Sequence, residues 1–163
     1  MGERMDMSRV TVRRALRADL PDIVRLLADD PLGQSREQYR DPLPESYYEA
    51  FERIDADPRV ELVVAEIDGE IVGTLQLMFL PHLTRGGGMR GQIEAVRVDE
   101  RYRNRGLGRY LMAWAIDRAR EQGCRMVQLT TNAARVDAHR FYERLGFVGS
   151  HVGMKLELTE VEE

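Results

Sequence analysis

The sequence predicts a single α/β domain: a mixed sheet with helices on both faces, in the order βααβββαβαβ. Three observations carry this. Strand-like apolar runs alternate with helical patterns along the 163 residues. Asp68-Gly69 separates two such runs, the strongest short-range signal of a hairpin. Gly123 and Gly146 each follow an amphipathic stretch, where a helix ends.

In chain order, RVTVRRA (9–15) alternates as a first strand. ADLPDIVRLLADD (18–30) reads as a helix with Asp19 as N-cap, Pro21 in its first turn and Ile23, Leu26 and Leu27 on one face. PLGQSREQYRDPLPES (31–46) is rich in turn residues and reads as a long loop, of a length that often serves function. YYEAFERIDAD (47–57) is helical through Tyr47, Phe51 and Ile54. VELVVAEI (60–67) and EIVGTLQLMFL (70–80) are the hairpin strands. PHLTRGGGMRG (81–91) is a flexible connection, and its triple glycine Gly86–Gly88 reads as a mobile tip or lid. QIEAVRV (92–98) is a strand, 106–122 a helix with Leu107, Leu111 and Trp114 on one side, RMVQLTT (125–131) a strand and VDAHRFYERLG (136–146) a helix. HVGMKLELT (151–159) reads as a last strand. No repeat or linker interrupts the chain, so one domain is expected over 1–163, with 1–8 a disordered tail.

Composition narrows the function. Hydrophobic residues make up 43% and charged residues 32%, a globular balance. The net charge of −4 argues against a general nucleic-acid binder. Cys124 is the single cysteine, so no intrachain disulfide forms; it reads as a small buried hydrophobe. Three scattered histidines and one cysteine do not make a metal site. No apolar run reaches membrane-spanning length and the N-terminus has no signal-like apolar segment, so the expected location is cytoplasmic.

The chemistry concentrates in RVDERYRNRGLGRYLM (97–112). Gly106 and Gly108 stand at a strand-to-helix junction among Arg101, Arg103, Arg105 and Arg109. A helix N-terminus attracts anions through unpaired backbone N–H groups, and glycine lets a phosphate come close. Four arginines there repel one another unless a polyanion offsets them. The third glycine of a dinucleotide fingerprint and the Gly-Lys-Ser/Thr of a P-loop are both absent, so neither nucleotide class fits well.

RNRGLG (103–108) matches an R/Q-x-x-G-x-G/A signature, and AHRFYERLGF (138–147) matches a second motif in the expected order and at a typical separation. On these motifs the chain resembles the Gcn5-related N-acetyltransferases, the GNAT superfamily, closely over about 60–150. The resemblance implies acetyl-CoA as cosubstrate. It places the pyrophosphate on the backbone of Arg103, Asn104, Arg105, Gly106, Leu107, Gly108 and Arg109. It pairs the pantetheine arm with Val96, Arg97 and Val98, puts a backbone N–H near Val98 against the oxyanion, and gives Asn132 a pantetheine contact. Arg135 stands where a second asparagine is common.

Amine transfer needs a base, because an alkyl amine is mostly protonated at neutral pH. Glu94 in QIEAVRV is the candidate, direct or through water; nine residues separate it from Arg103, a position that resembles the proposed base of polyamine-acetylating members. The resemblance makes Tyr142 the proton donor to the departing thiolate. Tyr39, Tyr47 and His82 are candidate acceptor contacts. Asp29, Asp30, Glu37, Asp41 and Glu45 either favour a cationic amine or form a solvated acidic loop. The expected acceptor is an amine of a small molecule, peptide or protein, with no nucleic-acid or membrane partner. Family members are often dimers, so a homodimer is an open expectation. An acyl-CoA-sensing module without catalysis is the alternative function.

Overall fold

The computed structural model describes residues 3–159. Its elements run β1 (Val10–Arg14), α1 (Leu20–Ala28), α2 (Pro31–Arg36), α3 (Glu45–Ala56), β2 (Val60–Ile67), β3 (Glu70–Leu80), the single turn α4 (Thr84–Gly87), β4 (Arg90–Val98), α5 (Leu107–Glu121), β5 (Met126–Leu129) and α6 (Val136–Arg144). The five strands form one mixed sheet in sequence order, antiparallel from β1 to β4 and parallel between β4 and β5. The chain groups into two compact units, Met1–Leu129 and Thr130–Glu163.

Within the first unit the sheet separates two helical layers. Asp68 and Gly69, at φ 50° and 82°, make the tight turn between β2 and β3. On one face, Leu20, Ile23, Val24 and Leu26 of α1 and Phe51 of α3 pack with Val64 and Ile71. On the other, α5 buries Leu107, Leu111, Met112, Ala115 and Ala119 completely. Glycines let that helix approach closely. A Cβ on Gly73 would lie 2.8 Å from Leu111 Cδ1, and one on Gly91 would lie 3.2 Å from Ala119 Cβ.

Several expectations change. The loop expected at 31–46 begins with α2, capped by Asp30 Oδ1, which accepts from Gly33 N–H. Gly33 packs so tightly on α1 that a Cβ would collide with Leu27 O. Asp19 precedes α1 but does not cap it. Its carboxylate instead accepts from Leu16 N–H (2.7 Å) and pairs with Arg13 (2.7 Å), because a buried carboxylate is best held by a cation. The strand expected at 151–159 is extended but unpaired, with Val152, Met154, Leu156 and Leu158 all 84–91% exposed. Its alternation suits a strand, yet no described residue offers it a ladder partner. The strand expected at 125–131 shortens to Met126–Leu129, and that at 92–98 starts earlier, at Arg90.

Of the tail expected over 1–8, residues 3–8 are placed. Met5 N–H donates to Arg105 O (3.2 Å), and Met7 Cε lies beside Gly106. Among the described residues no helix is long and apolar enough to cross a membrane, and no group of three or more His, Cys, Asp or Glu side chains is placed to hold a metal.

Candidate active site

The site begins with a defect in β4. Thr74 pairs with Arg97 and Gln76 with Glu94, so Leu75 alone faces both Ala95 and Val96. This is a β-bulge, and Ala95 takes the left-handed φ of 53° that it demands. Just before it, the ladder with β5 ends, at Ile93 opposite Leu129. Val96–Val98 therefore keep β3 on one side and have no paired strand on the other among the described residues. An unpaired ladder edge of this kind can receive an extended ligand. A small apolar cavity of about 110 Å³ opens beside Ala95, between α1, α3 and the sheet.

The chain then turns into α5. Asp99 is 3% exposed, and its carboxylate accepts from Arg101 N–H and Arg101 Nε (3.0 Å each) and from Arg25 Nη1 (3.1 Å). The side-chain bonds from Arg101 are the main cause of its acidity, holding it down to about 2. Gly106 takes φ 95° at the N-cap of α5, a left-handed conformation that glycine adopts without strain. The first helical bond runs from Tyr110 N–H to Gly106 O (3.0 Å), so the N–H groups of Leu107, Gly108 and Arg109 precede the ladder and face the helix end. Loop and splayed strand thus suit a ligand that joins a pyrophosphate to an extended amide-bearing arm.

The arginines are not the bare cluster expected. Arg101 pairs with Asp99 and Glu70, Arg103 with Asp29 (3.4 Å), and Arg97 with Asp30 (3.4 Å). Asp29 and Asp30 thus sit against arginines around the loop. Arg105 lies over the Tyr102 ring (5.6 Å), and no described carboxylate pairs with it or with Arg109. These two remain the cations best placed for phosphate.

Glu94 is half-buried on β4. Its Oε1 accepts from Gln92 Nε2 (2.9 Å); Gln92 Oε1 accepts from Gln128 Nε2 (2.7 Å) on β5. This row is invisible to sequence inspection, because Gln92 and Gln128 meet only through the β4–β5 register. Tyr39 is 53% exposed and lines an open depression of about 760 Å³ with Asp22, Arg25, Asp29 and Arg101. Tyr47 packs against the α1 cluster and its hydroxyl accepts from Gln38 N–H (2.9 Å). His82 Nδ1 lies 3.0 Å from Leu80 O; a carbonyl only accepts, so Nδ1 carries the proton.

The second unit holds the remaining candidates. Asn132 Oδ1 accepts from Ala134 N–H (2.9 Å), and its carbonyl accepts from Arg135 N–H and lies 3.1 Å from His139 Nε2. Tyr142 stacks edge-on between Phe141 and Phe147, with centroids 5.1 and 5.9 Å away.

The chain thus presents a strand splayed at a bulge, followed by a glycine-initiated helix. The chain belongs to the GNAT acetyltransferase family: the "Acetyltransferase (GNAT) family" profile matches residues 23–147. Acetyl-CoA is that family's acetyl donor. The chain is 39% identical to the aminoalkylphosphonate N-acetyltransferase of Salmonella typhimurium over 95 residues, 58% of this chain and 61% of that one. It is 41% identical to the glucosamine 6-phosphate N-acetyltransferase of Trypanosoma brucei brucei over 90 residues, 55% of this chain and 59% of the other. The matches thus span about three fifths of these relatives. The crystal structure of a transcriptional regulator from Bacillus halodurans C-125 superposes with a TM-score of 0.89 at 50% identity, covering 91% of this chain and 99% of that one.

Proposed function

We propose that this chain is an acetyl-CoA-dependent N-acetyltransferase whose acceptor is the amine of a small molecule bearing a phosphate or phosphonate group. The observation that carries the transfer is the parting of β4 from β5 beyond Ile93, beside the glycine start of α5. The acceptor class is supported by the two relatives, whose names describe acetylation of an aminoalkylphosphonate and of glucosamine 6-phosphate.

Bound acetyl-CoA supplies the thioester carbonyl. The N–H groups of Leu107, Gly108 and Arg109 hold the pyrophosphate, with Arg105 and Arg109 as counter-charges; the Arg103–Gly106 turn aims them. The backbone of Val96, Arg97 and Val98 pairs with the pantetheine arm, and the N–H near Val98 stabilises the developing oxyanion. Asn132 adds a pantetheine contact. Glu94 takes the amine proton; with Oε1 held by Gln92, Oε2 is the oxygen that receives it. The Tyr142 hydroxyl returns a proton to the leaving sulfur. Tyr39, Tyr47 and His82 border the acceptor.

The test is acetylation of glucosamine 6-phosphate and 2-aminoethylphosphonate against glucosamine and ethylamine, with product read by mass spectrometry. Preference for either phosphorus-bearing amine is the expected result. Equal rates for all four amines, or acetylation of none, would contradict the assignment.

A further inference from the structure

We propose that Arg90 is the anion-binding end of the acceptor site, and that it takes the phosphate or phosphonate group of the amine. The inference deepens the acceptor reading above and rests on it.

The strand itself lays out the row. Gly91 faces α5, where its Cβ would meet Ala119, and Ile93 is 1% exposed. Alternation then puts Arg90, Gln92 and Glu94 together on the opposite face. β5 adds Gln128, directly across from Gln92. Arg90 Nη1 donates to Gln128 Oε1 (3.2 Å), Gln128 Nε2 to Gln92 Oε1 (2.7 Å), and Gln92 Nε2 to Glu94 Oε1 (2.9 Å). A cation therefore stands at one end of a fixed row of amides and the candidate base at the other. The two amides have their orientation set by these bonds, so the row is a built surface.

Charge identifies what the Arg90 end receives. Arg90 is half-buried, and its partners are neutral oxygens: Gln128 Oε1 and Thr84 Oγ1 (3.0 Å). By contrast, Arg97, Arg101 and Arg103 each meet a carboxylate. No Asp or Glu occurs between Glu70 and Glu94, or between Glu121 and Asp137, in a chain with 28 acidic residues. The same corner collects more cations. Arg125 donates from Nη1 to Arg85 O (3.1 Å) and from its backbone N to Met89 O (2.9 Å), beside Arg90. A planar guanidinium with nearby cations and no paired carboxylate among the described residues suits a dianionic phosphorus group.

Length narrows the acceptor further. Four residues of strand put the Cα atoms of Arg90 and Glu94 ~13 Å apart, and the guanidinium leans back to the level of Gln128. Amine and anion are then several bonds apart, as in an amino sugar phosphate. Glucosamine 6-phosphate should outperform 2-aminoethylphosphonate.

The experiment is calorimetric titration with inorganic phosphate, under saturating CoA so that the α5 loop is already filled. Wild type, Arg90→Met and Arg90→Lys are compared. Arg90→Met should weaken phosphate about tenfold to a hundredfold, with CoA affinity unchanged as the check on folding. Arg90→Lys should fall between, because a point charge replaces the fork. In turnover, Arg90→Met should raise KM for glucosamine 6-phosphate by a similar factor, with the KM for glucosamine near wild type. No phosphate binding to the wild type, or equal binding to Arg90→Met, overturns the subsite. Failure to acetylate any amine overturns the function alone, since phosphate binding is measured without turnover.

Discussion

Glu94 is the proposed base for the proton transfer, and its geometry makes the role testable. One carboxylate oxygen is bound by Gln92, so the side chain presents the other in a fixed direction. Glu94→Gln keeps the shape and removes the basicity. It should lower kcat about 10²- to 10³-fold while acetyl-CoA affinity stays within twofold of wild type. Steady-state kinetics beside equilibrium CoA binding separates the two effects. The residue was legible in the sequence as an ionisable group inside an apolar strand. Its neighbours were not: Gln128 reaches Gln92 across a parallel ladder whose register depends on α5 crossing between the strands. The partners of the acidic pair Asp29 and Asp30 were hidden for a related reason. The sequence left them as either acceptor-facing charges or a solvated acidic loop, and in the structure they meet Arg103 and Arg97, which stand some 70 residues on in sequence.

At the scale of elements, the site is a bulged strand, a pinned turn and a helix start. Gly106→Val places a β-branched residue at φ 95°, where only glycine is at ease. The substitution should cost about 1–3 kcal/mol in stability and weaken acetyl-CoA at least tenfold, read by thermal melts and CoA titration. The turn before it hangs on Asp99. Its folded pKa, about 2, lies below the ~3.9 of an unfolded aspartate. The ionised carboxylate therefore stabilises the fold above about pH 4, and that contribution fades as pH falls through about 2. Asp99→Asn should remove on the order of 2 kcal/mol at pH 7 and flatten the loss of stability between pH 4 and 2. Unfolding of both proteins across that range is the measurement. The hairpin, the glycine loop and α5 were legible because local residues encode turns and caps. The bulge at Ala95 was not, because alanine has no preference for φ 53° and accepts it under the constraint of the ladder. The strand expected at 151–159 shows the converse: a correct alternation forms no strand without a partner edge.

For the molecule as one body of chemistry, catalytic geometry and core stability share α5. The helix that begins at the proposed phosphate-binding turn also fills the sheet face with Leu107, Leu111 and Met112, each fully buried. Leu111→Ala should destabilise the fold by about 2–5 kcal/mol and lower Tm, while acetyl-CoA affinity of the remaining folded protein changes little. Calorimetric melts with and without CoA distinguish a core defect from a damaged loop. Charge is distributed to the same end. A chain of net charge −4 keeps its carboxylates paired with arginines around the loop, yet leaves Arg105 and Arg109 without described carboxylate partners at the helix start. Every role assigned to these residues depends on acetyl transfer from acetyl-CoA to an amine. That transfer is tested by free-thiol release from acetyl-CoA by the purified protein, with and without glucosamine 6-phosphate. Thiol release should depend on the amine and equal the acetylated product mole for mole. Thiol release that ignores the amine, or none with any amine supplied, would contradict the proposed activity.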